Sequence, residues 1–288
     1  DSLHSYVAAQ VSLGPRVPGT PAAERCATLF EDRLRAFGAD TVVTQVATVT
    51  FADGSKAPAR NILGRFNPAA NRRMLLLAHY DSRPWADEDP DPANHSKPID
   101  GANDGASGAA VLLEIARLLG NERPAGLGVD LLFVDAEDSG VSDGGQSELT
   151  WCLGTQEWVK DLPYTAADRP RFAILLDMVG GRDARFHREY FSDRLARPVV
   201  DKIWAAAAAA GFADRFPNSP GGSVIDDHLH INRAGIPCAN IIESINPQTG
   251  SFNPTWHTMD DNLANIDRET LRVVAQVVAD VIYNEQNQ

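Results

Sequence analysis

The chain has 288 residues, a length that suits one large α/β domain or two small ones, and its 43% of hydrophobic residues is enough for a substantial core. A formal net charge of −13 without clustered Lys or Arg argues against a nucleic-acid partner, and no apolar run approaches the roughly 20 residues needed to span a bilayer. Three cysteines (Cys26, Cys152, Cys238) without CxxC spacing argue against a disulfide framework or a Cys-ligated zinc, leaving room for one bridge at most.

Leu3, Tyr6, Val7, Gln10 and Val11 have helical spacing. A second helix is predicted with Thr20 as cap and Pro21 at its first position, ending near Phe37 before Gly38. The period then changes. From Thr41 to Phe51 the chain is rich in Val and Thr, and Arg60 to Phe66 follows a turn at Asp53-Gly54, so these read as paired strands. Four short apolar runs come next: Met74 to Ala78, Val129 to Val134, Phe172 to Leu176 and Pro237 to Ile242. Such runs suit strands buried on both faces of a parallel sheet. Between the first two, Val111, Leu112, Ile115, Ala116 and Leu119 form one helical stripe. The alanine run Ala205 to Ala210 is framed by Pro198 and Gly211 as an ordinary helix. With no linker or internal repeat, the pattern predicts one α/β/α domain over residues 1–288.

Polar residues follow each apolar run: His79-Tyr80-Asp81-Ser82, Asp135-Ala136-Glu137-Asp138, Asp177 and Glu243. In open α/β sheets, ligands bind beyond the carboxyl ends of the strands. Asp104, before the helix at Ala106, could alone be a helix cap; Glu137-Asp138 could alone be a solvated turn, and His257 a loop histidine. Together, Asp104, Asp138 and His257 make a sensible set of three protein ligands for a catalytic zinc, with one position open. Glu137, beside a ligand, is then placed for general acid–base work.

The order His79-x-Asp81-Ser82, Gly101-Ala102-Asn103-Asp104-Gly105, Glu137-Asp138, Leu176-Asp177-Met178 and Trp256-His257-Thr258 resembles the zinc aminopeptidase (M28) superfamily that includes the glutaminyl cyclases. Asp226-Asp227-His228 and Trp256-His257-Thr258-Met259-Asp260-Asp261-Asn262 resemble the animal-type cyclases, while Trp151-Cys152-Leu153-Gly154 and Phe186-His187-Arg188-Glu189 resemble their bacterial branch. The resemblance implies a three-layer α/β/α fold on a mixed, mostly parallel six-stranded sheet, one zinc on Asp104, Asp138 and His257, and Glu137 as proton shuttle. It further implies that Asp177 and Asp226 hold the amide nitrogen and the leaving ammonia, and that Trp256 and Phe252 wall the substrate side chain, with Trp151 and Trp85 as additions to that wall. Many relatives have Glu where this chain has Asp138, and the residue immediately before His79 is Ala78 rather than Cys, so the disulfide of the animal enzymes is expected to be absent.

The activity so implied is that of an acyltransferase: cyclisation of the N-terminal glutamine of peptides or proteins to pyroglutamate with release of ammonia, by an exported (periplasmic or secreted) monomer. The alternative is a two-zinc aminopeptidase in which His79 and Asp177 hold a second metal and Asp104 bridges. A non-catalytic binding domain on the same fold would be expected to have lost Glu137 or a ligand. Among the other histidines, His4 and His95 read as surface residues, His187 and His230 lack an identifiable partner, and His228 reads as orienting the site. The acidic loop from Ala86 to Lys97 lacks the spacing of a calcium-binding EF-hand and reads as solvated.

Overall fold

The computed structural model describes residues 2–143 and 147–288. Two helices, α1 (Ser2–Val11) and α2 (Pro21–Ala36), lead into β1 (Thr41–Thr50) and β2 (Lys56–Phe66). Thr20 caps α2 by accepting the Ala23 N–H, as expected. Then come β3 (Arg72–His79), α3 (Ala106–Asn121), β4 (Leu127–Val134), the short α4 (Leu153–Trp158) and β5 (Phe172–Leu176). The chain finishes with α5 (Tyr190–Leu195), α6 (Arg197–Ala209), α7 (Asp227–Arg233), β6 (Cys238–Ile241) and α8 (Arg268–Glu285).

The six strands form one sheet in the order β1-β2-β4-β3-β5-β6. β1/β2 and β2/β4 are antiparallel; β4/β3, β3/β5 and β5/β6 are parallel. This is the mixed, mostly parallel sheet expected. Strand side chains alternate between faces, and the two cores separate accordingly. Met74, Leu76 and Ala78 of β3 pack with α1, α2, α3, α6 and α8, whereas Leu75 and Leu77 pack on the other face with Trp158 of α4 and Ile231 of α7. Helices on both faces explain why β3, β4 and β5 are buried along almost their whole length, with the Arg73–Asp130 pair at 2.9 Å as the charged exception in β3 and β4.

β2 begins four residues before the predicted Arg60. Its first half pairs with β1 alone, from Thr50↔Lys56 to Ala47↔Ala59, and β4 joins only at Ile62. With one neighbour there, that half needs no apolar run and tolerates Pro58. The alanine run lies in α6, with Pro in its first turn, as expected. Cys26, Cys152 and Cys238 are all buried and free, so the single bridge left open by the cysteine count is absent. Burial pushes the Cys26 thiol up to about 12, which leaves it inert. No helix among the described residues is long and apolar enough to cross a membrane.

Candidate active site

The register His79↔Val134 aligns the carboxyl ends of β3 and β4, and β5 runs parallel beside β3. The segments leaving these strands therefore meet at one end of the sheet. Asp104 lies in the turn before α3, where Gly105 occupies the cap position at φ +104° without a side-chain capping bond. A Cβ on Gly105 would stand 2.5 Å from the Asp81 carbonyl oxygen, so only glycine fits there. Asp104 is thus not the helix cap that its position alone suggested. Its carboxylate instead reaches His79 Nε2 at 3.0 Å and His257 Nε2 at 3.4 Å.

Two further carboxylates hold this geometry. Asp81 accepts the backbone N–H groups of Glu137 and Asp138, each at 3.0 Å. Asp261 accepts those of Asn103 at 2.7 Å and Asp104 at 3.0 Å. Each clamp satisfies two buried amides with one side chain and fixes the residue pair that projects into the site. Both acids lie in the family-like motifs, but nothing local in the sequence distinguishes a clamp from a ligand.

His257 Nε2 stands 3.1 Å from Asp138 Oδ1, and ligand atoms of Asp104, Asp138 and His257 all lie within 4.8 Å of one another. Asp138 Oδ2 is buried with no hydrogen-bond partner. Burial, and then the Asp104 charge, push the Asp138 carboxyl up to about 6. A cation held by these donors would satisfy the orphaned oxygen and restore the ionised form, so the set suits zinc. A second group, His79, Asp104 and Asp177, meets the same distance criterion. There His79 Nε2 is 3.2 Å from Asp177 Oδ1, and Nδ1 is 3.2 Å from both the carbonyl and the carboxylate of Asp81.

A cavity of about 500 Å³ opens onto the first group and is lined by Asp104, Glu137, Asp138, Asp177 and His257. Trp151, Phe252 and Trp256 supply aromatic walls to the same cavity. Trp256 stacks on the His257 ring at 3.8 Å, and Phe252 packs on Trp256 at 4.9 Å. Glu137 is 6% exposed; burial first, then the Asp138 and Asp226 charges, push its carboxyl well up, against the pull of His79. Its Oε1 accepts a weak hydrogen bond from the Cys152 thiol at 3.5 Å. Asp226 is 1% exposed, does not line the cavity, and shares a hydrogen bond with Asp177, so it lies behind Asp177. Its carboxylate also accepts from the Asn240 amide and from the Asp227 N–H, each at 2.7 Å.

Arg83 escapes the sequence reading. It is 3% exposed and donates to both oxygens of Asp87, at 2.7 and 2.6 Å, and to the carbonyls of Asp138 and Gly140 at 3.2 Å. Its guanidinium lies 5.0 Å from the rings of both Trp85 and Trp151. Trp85 therefore braces Arg83 and lines a separate cavity with Phe51 and Pro18 rather than the main one. The loop after it turns inward: the Glu88 amide donates to the His257 carbonyl, and Asp89 accepts the Met259 N–H. Asp89 also accepts from Asp91 and Asn94, so this acid serves the local fold. His228 Nε2 donates to the buried Glu189 carboxylate at 2.9 Å, and His187 meets Ser219 at 2.9 Å.

A zinc-peptidase fold with a compact acid–histidine centre defines the class, and the profile described as "Peptidase family M28" matches residues 61–282. The chain belongs to that family. A glutaminyl cyclase of Bacteroides thetaiotaomicron, solved with N-acetylhistamine, is 46% identical and superposes with a TM-score of 0.94 over 99% of this chain and 97% of that one. A structure from Parabacteroides distasonis described as a Zn-dependent exopeptidase is also 46% identical, with a TM-score of 0.93 over 99% of this chain and 97% of that one. The glutaminyl-peptide cyclotransferase of Bothrops jararaca is 24% identical over 91% of this chain and 75% of that protein.

Proposed function

We propose that the chain, acting over residues 1–288 as one unit, is a glutaminyl-peptide cyclotransferase with one catalytic zinc on Asp104, Asp138 and His257. The observation that carries this reading is the union, in one cavity, of that donor set, Glu137 and three aromatic walls. Bound zinc would polarise the side-chain amide of an N-terminal glutamine as a Lewis acid. Glu137 takes a proton from the α-amino group as that nitrogen bonds to the side-chain carbonyl carbon, and delivers a proton to the nitrogen that leaves as ammonia. The ring closure is intramolecular, so the protein has only to fold the side chain back over the amine. Asp177, facing the cavity, accepts from the amide nitrogen, and Asp226 acts through Asp177. Trp151, Phe252 and Trp256 exclude the water that would otherwise compete.

A two-zinc aminopeptidase is the second reading, favoured by the His79–Asp104–Asp177 group. In that group Asp104 and Asp177 line the cavity, while His79 is fully buried. Paired assays separate the two. Ammonia release from a Gln-initiated peptide, with little turnover of a Leu or Ala aminopeptidase substrate, is the expected result; hydrolysis without cyclisation would defeat the cyclase reading. We take the chain to act as a monomer, which sedimentation tests. Export to the periplasm or medium rests on the family resemblance, and cell fractionation tests it.

A further inference from the structure

Glu243 ends the fourth apolar run, and neither the zinc site nor the proton transfers use it. It is 1% exposed, immediately after the cavity-lining Ile242. Its Oε1 accepts from Asn246 Nδ2 at 2.8 Å and its Oε2 from Asn253 Nδ2 at 3.1 Å. Those two asparagines bracket a loop that closes on itself: the Asn246 amide donates to the Ser251 carbonyl at 2.7 Å, and the Gly250 amide to the Asn246 carbonyl at 2.8 Å. Asn253 also receives the Thr255 amide on its side-chain oxygen at 3.0 Å and the Trp256 amide on its carbonyl at 2.9 Å. Phe252 therefore lies inside the tethered segment and Trp256 one turn beyond it. A Cβ on Gly181 would stand 2.6 Å from Asn253 Nδ2 and 3.0 Å from Glu243 Oε2, so the body of the protein leaves a fitted space for this junction.

We propose that Glu243 is a positioning residue that sets substrate affinity by tying both ends of the 246–253 loop, and through it the Phe252–Trp256 wall, to the end of β6. Only a carboxylate offers an acceptor to both asparagine amides; a glutamine turns one NH₂ toward another. The link to substrate rests on the cyclase reading above, whereas the tether itself does not.

The test uses Glu243→Gln alone and combined with Asn253→Asp, which gives the glutamine NH₂ an acceptor again. Expected for the single variant is a KM for a Gln-initiated peptide raised about tenfold, as for loss of one buried hydrogen bond, with kcat and zinc content held. The double variant should recover most of that loss. Hydrogen exchange over residues 246–257 should quicken in the single variant and slow again in the double. An unchanged KM, a fall confined to kcat, or a double variant no better than the single overturns the proposal. If wild-type protein cyclises no glutamine, the cyclase reading fails while the exchange measurement still decides the tether.

Discussion

Two histidines flank Asp104, and they are used differently. His79 is enclosed: both ring nitrogens face carboxylate or carbonyl oxygens of Asp81, Asp104 and Asp177, and no part of it reaches the cavity. His257 opens on the cavity, between Asp138 and the Trp256 ring, from a left-handed backbone at φ +54°. The two donor sets thus share Asp104 and differ in their histidine, which lines the cavity in one and is enclosed in the other. The contrast teaches that ligand chemistry alone does not count metals.

The largest effect should come from Glu137→Gln, which removes the proton carrier while leaving all three donors of the open set. Turnover should fall by about a hundred- to ten-thousandfold with zinc retained, measured by ammonia release and metal analysis. Loss of zinc instead would make Glu137 a ligand. Exchanging the histidines probes the contrast directly. His257→Ala should abolish stoichiometric zinc binding, whereas His79→Asn should keep one zinc per chain and weaken it by about 10- to 100-fold, as expected for a group that orients a ligand. Chelator competition reads both, and equal loss in the two variants would erase the distinction.

Much of this arrangement was legible in the sequence. β5 coincides with its predicted run, and β3, β4 and β6 differ from theirs by one or two residues at most at each end, because strands buried on both faces are built mainly from apolar residues. Asp104, Asp138 and His257 meet as expected from the motifs that carry them. The supports were harder to read. Asp81 and Asp261 act on amides 56 and 158 residues away, and sequence spacing holds no record of such pairings. Nothing in the sequence marks Arg83, because its partners (Asp87, the Asp138 and Gly140 carbonyls, two indoles) assemble only in the fold. Asp226 and Trp85 were placed at the cavity by resemblance, and each stands one layer behind it.

Those supports yield a smaller effect. Asp261→Asn leaves one of two buried amides facing a donor, so stability should drop by about 1–3 kcal/mol in urea titration. An unaltered midpoint would show that the clamp adds nothing. Smaller still is the pH response of Glu189. Burial alone would raise its carboxyl, but the hydrogen bond and charge of His228, with the Ser192 bonds, outweigh this and hold it low. A depressed folded-state value means stability present above the usual glutamate range and lost as pH falls through the folded value. Glu189→Gln should flatten that part of the acid-unfolding curve; an unchanged curve would remove Glu189 as its source.

The most direct measurement is the number and location of zinc ions bound to the wild-type chain at saturating zinc, by metal analysis with anomalous scattering from crystals. One ion is expected, held by Asp104, Asp138 and His257 and facing the cavity. Two ions, with the second on His79 and Asp177, would contradict the account and turn the site into that of a two-metal hydrolase.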